Sequence, residues 1–344
     1  MNKEVKYSCP SNIALVKYWG KKESGTQLPA NPSISWTLND LRATTRMVVS
    51  PVVNGESPTV KFYLANIEKP SFLPKIETFL KRVTPELGWI SEHHFEIYSE
   101  NNFPHGAGIA SSAAGFGALA SCLVALDGQW EESDPVFWEK ASKFARLGSG
   151  SACRSVYNEP GLWGEFEEVL ESTDDFAIPY SGSIHPNLQG WKDAVLIIED
   201  GEKSVSSTAG HALLKEHAYA EARYKQAHNN LSALLSSFKT GDVQQFIEIV
   251  ESEALQLHAM MMSSIPYYVL MKPNTLEAIE KIWKHRNETL IPMCFTLDAG
   301  ANVHLLYDGR YHEQIQNFIN TELLPYCQNG LYLCSDTGGK PIKL

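Results

Sequence analysis

Five short segments concentrate the residues that could do chemistry. The first, Asn102-Phe103-Pro104-His105-Gly106-Ala107-Gly108-Ile109-Ala110-Ser111-Ser112-Ala113-Ala114-Gly115, is mostly glycine, alanine and serine. Small residues let a backbone approach a ligand closely. A helix opening at Ser111 or Ser112 would aim free N–H groups and a positive dipole end at an anion. The run is neither a Walker A loop, since no Gly-Lys-Ser/Thr follows, nor a dinucleotide fingerprint. Close helix packing accounts for it equally well. The second segment, Asn12 to Lys22, crowds Lys17, Lys21, Lys22, Tyr18 and Trp19 around Gly20. Such a set suits a diphosphate-lined pocket, although taken alone a solvated surface stretch is the commoner explanation. In the third, Gly148 to Ser155, serines alternate with glycine before Arg154. Hydroxyls and N–H groups can ligate phosphate and an arginine fork fits a carboxylate, yet a Gly/Ser turn with a capping arginine is the simpler reading. In the fourth, Phe295 to Asn302, Asp298 follows an apolar run and precedes Gly300. That carboxylate is a candidate base, or else the cap of a following helix. The fifth, Ser204 to His211, sets Ser206, Ser207 and Thr208 before a long helical pattern, as an N-cap or an anion site.

The elements that must position these residues are mixed. VKYSCP and ATTRMVVS read as strands around a turn-rich PANPSIS. Residues 58–66 alternate as a strand. Leu73, Ile76, Phe79, Leu80 and Val83 recur at helical spacing over 71–87. HHFEIYSENNFP reads as a strand ending in a loop. Helices are predicted from Ser111 and over 134–147. Residues 172–190 are turn-rich, and a domain boundary is placed near 187. Beyond it the pattern predicts a strand in WKDAVLIIED and helices over 211–237, 241–262 and 274–287. Strands in MCFTLDA and NVHLLYDG and a helix over 311–323 follow. Strands and helices without regular alternation indicate the α+β class.

Composition narrows the partners. The chain has 344 residues, of which 43% are hydrophobic and 20% charged, within the range of globular proteins. A net charge of −11 with no basic block disfavours nucleic acid and anionic membranes. Any polyanion must therefore be held by a local site. Residues 106–126 carry no formal charge but are too rich in Gly, Ala and Ser to make a convincing span. The six cysteines form no CxxC pair, so free thiols in a reducing cytoplasm are expected. The N-terminus lacks a secretory pattern.

NIALVKYWGK, SSAAGF, GSGSACRS, the VSST run and TLDAG, in this order and spacing, resemble the diphosphomevalonate decarboxylase family. That family lies within the galactokinase, homoserine kinase, mevalonate kinase and phosphomevalonate kinase (GHMP) superfamily. The likeness runs from about residue 5 to residue 310. It implies a two-domain α+β fold, with a ribosomal-S5-domain-2-like N-terminal domain (1–187) and a ferredoxin-like C-terminal α/β sandwich (188–344). The N-terminal domain would bind ATP and substrate, the C-terminal one would supply the catalytic Asp, and the active site would lie between them. It implies ATP-dependent phosphorylation of the 3-hydroxyl of 5-diphosphomevalonate, then loss of phosphate and CO2 to give isopentenyl diphosphate. This is a step of the mevalonate route to isoprenoids, and so to sterols and other lipids. Carried over by position, Asp298 is the base, Arg154 and Asn12 hold the carboxylate, and Lys17 stands in the catalytic cleft. Tyr18, Trp19, Gly20, Lys21, Ser149, Gly150, Ser151, Ala152, Cys153, Ser207 and Thr208 would contact substrate. Asn102, Pro104, Gly106, Gly108, Ser111 and Ser112 would serve ATP. Mg2+ is expected to be held mainly by ATP, with no ligand assigned on the protein. A cytoplasmic homodimer without nucleic-acid or membrane partners is the corresponding expectation.

Three departures stand out. His105-Gly106-Ala107-Gly108 replaces the family's Thr-Ala-Ala-Gly. Val156 to Trp163 replaces its Gly-Gly-Phe strand. No arginine lies between Arg46 and Arg82 to match its additional substrate arginine. Part of the diphosphate grip is therefore unassigned. Alternatives are a decarboxylase or kinase of 5-phosphomevalonate or mevalonate, or a non-catalytic relative.

Overall fold

The computed structural model describes residues 2–23, 27–53, 56–104, 109–201 and 207–344, with the side chains of 207–209 outside that description. Two long strands, Lys3–Val16 and Ser33–Pro51, pair antiparallel and organise the first half. The second of them buries every other residue from Leu41 to Val49, the period-2 pattern of a sheet covered on one face. His93–Asn101 pairs antiparallel with it, and Val60–Leu64 pairs parallel with His93–Asn101. Helices Leu73–Val83, Ser111–Asp127 and Pro135–Gly148 supply the apolar residues that bury this face around Phe95, Ile97 and Phe79. Ser111–Asp127 is apolar nearly all round because it is buried nearly all round. Among the described residues no helix is long and apolar enough to cross a membrane.

The second half is built on an antiparallel sheet in the order Tyr332–Asp336, Trp191–Leu196, Val303–Asp308, Met293–Leu297. One face packs with helices Ala220–Thr240 and Val243–Ser263 and with the far ends of the two long strands. There Trp36 stacks on Phe246 with ring centroids 5.3 Å apart. The other face is covered by Pro273–Thr289 and His312–Phe318. After Asp336 the chain returns to the first half, where Ile342–Lys343 pairs with Lys3–Val16. The α+β class is as expected.

Four local expectations change. The helix expected over 211–237 is two helices, Ser207–Leu213 and Ala220–Thr240. Between them His217 accepts the Tyr219 N–H at 3.1 Å and meets Ser263 Oγ at 3.1 Å, so a side chain takes over from helical bonding. The helix expected over 311–323 stays α-helical only over His312–Phe318 and continues as a π turn, Ile319–Leu323. Short strands Gly161–Trp163 and Ala177–Pro179 pair with each other, the second within the stretch 172–190 that reads as turn-rich. The C-terminal strands Tyr332–Asp336 and Ile342–Lys343 also escape the sequence pattern, being too short to show a period.

Candidate active site

A cavity of about 630 Å³ lies where the two halves meet, within the usual size of a small-molecule site. A register shift at Pro10/Ser11 bends the first strand so that its second part leaves one core for the other. Its end carries Asn12, Lys17, Tyr18, Trp19 and Lys21 into the cavity wall. Opposite stand Ser111 and Ser112 at a helix start, Ser149 to Ser151 with Arg154 from the turn after the third helix, and Asp298 beyond the strand Met293–Leu297.

Lys17 is held by the other half of the molecule. Its N–H donates to Glu253 Oε2 at 2.8 Å, and its carbonyl accepts from Asn31 Nδ2 at 3.0 Å and Arg223 Nη2 at 3.5 Å. Glu253 is itself clamped by Arg223 at 2.6 and 3.0 Å and by the half-buried Asn230 at 2.6 Å, and the Arg223–Glu253 pair is out of reach of water. The Lys17 ammonium donates to the Ala14 carbonyl at 2.8 Å. Burial pulls its pKa from 10.5 to about 8. Asp298, Glu253 and Asp193 oppose that pull, and Arg154 adds to it.

Arg154 is buried, with Nε on Ser35 Oγ at 2.5 Å and Nη1 on Ser33 Oγ at 2.6 Å. Trp163, from the edge strand Gly161–Trp163, lies beneath its guanidinium at 5.7 Å and against Tyr18 at 4.6 Å. The strand that departs from the family pattern thus floors the site. Nη2 has no partner among the described residues, which leaves one arm of the fork for a ligand. Asn12 Nδ2 donates to Ser155 Oγ at 2.7 Å and to the Ser151 carbonyl at 3.1 Å, so it braces the arginine's turn.

Asp298 caps no helix, since the chain bends through 299–302 into the strand Val303–Asp308. Its carbonyl meets His258 Nε2 at 3.2 Å and accepts the Gly300 N–H at 2.8 Å. Burial lowers the His258 pKa to about 4, so the ring is neutral and donates there. These contacts fix the backbone of Asp298, and the residue lines the cavity wall. The helix Ser111–Asp127 begins at Ala110, a left-handed residue with φ +44°, and no side chain caps it. Its first N–H groups open towards the cavity that Ala110 to Ala113 line. A slot of about 60 Å³, walled by Phe62, Phe72, Leu64 and Phe116, adjoins the cavity and shares Lys75, Ser111 and Ser112 with it.

Other expected site residues stand elsewhere. Ala152 and Cys153 turn into the core, and Cys153 Sγ donates to the Gly150 carbonyl at 3.0 Å. Burial pushes its thiol up to about 12, so it is no nucleophile. Asn102 spends its amide on the Asp40 carbonyl and the Arg42 N–H, at 2.7 and 2.8 Å. Neither Asn102 nor Pro104 lines the cavity, and Gly20 contributes the turn rather than the wall. Gly106 and Gly108 lie outside the described residues. Ser207 and Thr208 open the helix Ser207–Leu213, and their side chains lie outside the description.

The structure also adds residues the sequence reading passed over. Lys75, Thr78 and Arg82 enter the wall from the helix Leu73–Val83, and His211 from the helix Ser207–Leu213. Lys75 Nζ donates to Ser112 Oγ at 3.3 Å and lies 5.0 Å from the Phe116 ring centre. Lys21 has a lowered pKa, first from burial and then from Arg82 and Lys75 beside it. Positions 75, 78 and 82 share one helical face, opposite the apolar Ile76, Phe79, Leu80 and Val83. That spacing was the available signal. Among the described residues no group of three His, Cys, Asp or Glu could hold a metal ion.

Both halves of the chain match known proteins. Residues 9–175 match the diphosphomevalonate decarboxylase-like N-terminal domain, and residues 194–339 match the mevalonate 5-diphosphate decarboxylase C-terminal domain. The diphosphomevalonate decarboxylase of Gibberella zeae is 32% identical over 319 residues, 88% of this chain and 80% of that protein. The mevalonate diphosphate decarboxylase structure from Staphylococcus aureus has a TM-score of 0.86 at 26% identity, covering 100% of this chain and 98% of the other. A structure of MDDEF in complex with MVAPP, AMPPCP and magnesium has a TM-score of 0.85 at 26% identity, covering 100% and 99%. Together with a site assembled from the same motifs, these matches show that the chain belongs to the diphosphomevalonate decarboxylase family.

Proposed function

We propose that this chain converts (R)-5-diphosphomevalonate and ATP into isopentenyl diphosphate, ADP, phosphate and CO2. The observation that carries this is convergence. A carboxylate, Asp298, a buried lysine, Lys17, and an arginine with a free arm, Arg154, share one cavity with an uncapped helix start.

A tertiary alcohol is a weak nucleophile, and Asp298 takes its proton as the 3-oxygen bonds the γ-phosphorus of ATP. ADP leaves. The bond from C3 to the phosphorylated oxygen then breaks, its electron pair leaving with phosphate, while the C–C bond to the carboxylate breaks to release CO2. The electrons of that C–C bond become the alkene. Arg154 orients the carboxylate through Nη2, with Asn12 bracing its turn. Lys17 contributes positive charge beside the reacting oxygens. Lys21, Lys75 and Arg82 receive the diphosphate, and the two added cations fill the place of the missing family arginine. The triphosphate meets the helix start at Ser111 and Ser112, and the adjoining aromatic slot suits its base. The Ser112 hydroxyl, a hard oxygen donor on the cavity wall, would suit a Mg2+ held mainly by the nucleotide. Bound there, it neutralises phosphate charge.

The division into residues 1–187 and 188–344 belongs to this reading, supported by matched domains on either side of that point. A cytoplasmic homodimer belongs to it too, supported by the family resemblance alone. The test is purified protein with ATP, Mg2+ and, in turn, mevalonate, 5-phosphomevalonate and 5-diphosphomevalonate. Isopentenyl diphosphate and CO2 from the last alone is the expected result. ADP release with 5-phosphomevalonate and no CO2 would overturn the assignment.

A further inference from the structure

The turn that delivers Lys21 to the cavity has two supports. On its outer side residues 28–30 hold it, with Lys22 N–H on the Leu28 carbonyl at 3.0 Å and Ala30 N–H on the Gly20 carbonyl at 3.3 Å. On its inner side the Gly20 N–H donates to His211 Nδ1 at 3.0 Å. Gly20 has φ +100°, a conformation open to glycine and strained for other residues.

The imidazole is fixed tightly. Its ring centre lies 4.2 Å from that of Tyr18 and 4.7 Å from that of Trp19. The residue before it must be small, because a Cβ on Gly210 would stand 2.5 Å from the Trp19 ring. A backbone amide only donates, so Nδ1 must be the unprotonated nitrogen, and the ring proton sits on Nε2. Burial, helped by Lys21, lowers the pKa of His211 to about 3, which keeps Nδ1 able to accept at every working pH. The contact also crosses between the halves, since His211 follows the second sheet's first strand and Gly20 follows the first strand of the chain. Lys21 needs such a restraint. Lys75 and Arg82 stand near it with the same sign of charge, and nothing in their mutual repulsion favours three cations in one wall before an anion arrives.

We infer that His211 is a positioning residue: through Nδ1 it latches the Gly20 amide, and so holds Lys21 where a diphosphate is bound. The inference rests on the proposed reading of the cavity as the 5-diphosphomevalonate site. It assigns His211 no proton transfer.

The test uses the full chain with three substitutions. Asparagine places a carbonyl oxygen near the position of Nδ1, glutamine places an amide near Nε2, and leucine offers neither. His211→Gln and His211→Leu should raise KM for 5-diphosphomevalonate about tenfold, the effect of one orphaned buried donor. Their KM for ATP should stay within about twofold and their kcat within about threefold. His211→Asn should recover most of the loss. A purely structural role would lower the melting temperature of all three without separating Asn from Gln. If Gln keeps the wild-type KM and Asn does not, the Nε2–H is what matters and the latch is overturned. If kcat falls in all three with KM unchanged, it is overturned as well. Should the leucine variant not fold, the Asn and Gln pair decides. Calorimetric binding of inorganic pyrophosphate to the same variants gives an arm without turnover. Affinity should fall in Gln but not in Asn, and equal affinity in both refutes the latch. A wild-type protein that makes no isopentenyl diphosphate refutes the reading of the site instead, and leaves the pyrophosphate result standing by itself.

Discussion

Raising the pH should switch Lys17 off, and the structure supplies the sign and size. Its pKa in the free enzyme is about 8, drawn down from 10.5 by burial. The ammonium is the form that can offset phosphate charge, so kcat/KM should fall on the alkaline side with an inflection near pH 8. Bound substrates bring anions that favour the ammonium, so the alkaline limb of kcat should lie at higher pH than that of kcat/KM. Stability follows the same shift. At about 1.36 kcal/mol per unit, the charged lysine weakens the fold by about 3 kcal/mol. Below pH 8 folded and unfolded chains both hold the proton and the full penalty is present. From pH 8 to 10.5 the unfolded chain binds more protons, so stability rises with pH through that window and the penalty is gone above it. Lys17→Met removes the penalty, but it also strips the Ala14 carbonyl of its donor, at about 1–3 kcal/mol. At pH 7 the variant should therefore be inactive yet as stable as the wild type or up to about 2 kcal/mol more so. Denaturant unfolding of both proteins at pH 7 and pH 9.5 measures the comparison, and the wild type should gain on the variant as pH rises. A flat kcat/KM between pH 7 and 9.5, or a stability difference that ignores pH, would refute the reasoning.

Three further outcomes are expected. Asp298→Asn should fold normally and lose about 10²–10⁴ in kcat with little change in substrate KM, the range for a positioned base; a loss of only a few-fold would remove it from that role. Arg154→Lys should be severe, because a single ammonium nitrogen cannot reproduce the planar fork that reaches Ser33 and Ser35 and presents a further N–H edge to a carboxylate. Binding of the substrate and of an analogue lacking the carboxylate separates the roles, and an equal loss for both would assign the arginine to the fold. Lys21→Ala should raise KM for 5-diphosphomevalonate by about 1.5–3 kcal/mol in free-energy terms. It should also narrow the preference over 5-phosphomevalonate. An effect on ATP alone would reverse the orientation of the cleft.

Some of this was legible because chemistry and local pattern coincide. A glycine and serine run ahead of an apolar stretch announces a helix start with open N–H groups, and Ser111–Asp127 is that helix. An acid after MCFTL can be read as strand-end chemistry, and only the chain's bend into a second strand removes the helix-capping alternative for Asp298. The motif GSGSACRS does not reveal its own division of labour. Ser149, Ser151 and Arg154 line the cavity, whereas Ala152 and Cys153 turn into the core, because one turn of 3-10 helix must send neighbours to opposite sides.

Sequence by itself determined which residues are chemically equipped and which faces are apolar. The period of Ile76, Phe79, Leu80 and Val83 sets the buried face of its helix, and so makes 75, 78 and 82 the polar one. Tertiary structure alone decided what that polar face meets. A period distinguishes polar from apolar, but it carries nothing about whether the polar side looks onto bulk water or onto a cavity built by distant segments. Here it looks onto the cavity, and Lys75 and Arg82 become part of a binding wall. The same holds for Lys17, which is buried and whose backbone is held by Glu253 and Arg223 more than two hundred residues away. Charge and type are properties of a residue, whereas desolvation and its consequences for pKa belong to what the fold packs around it.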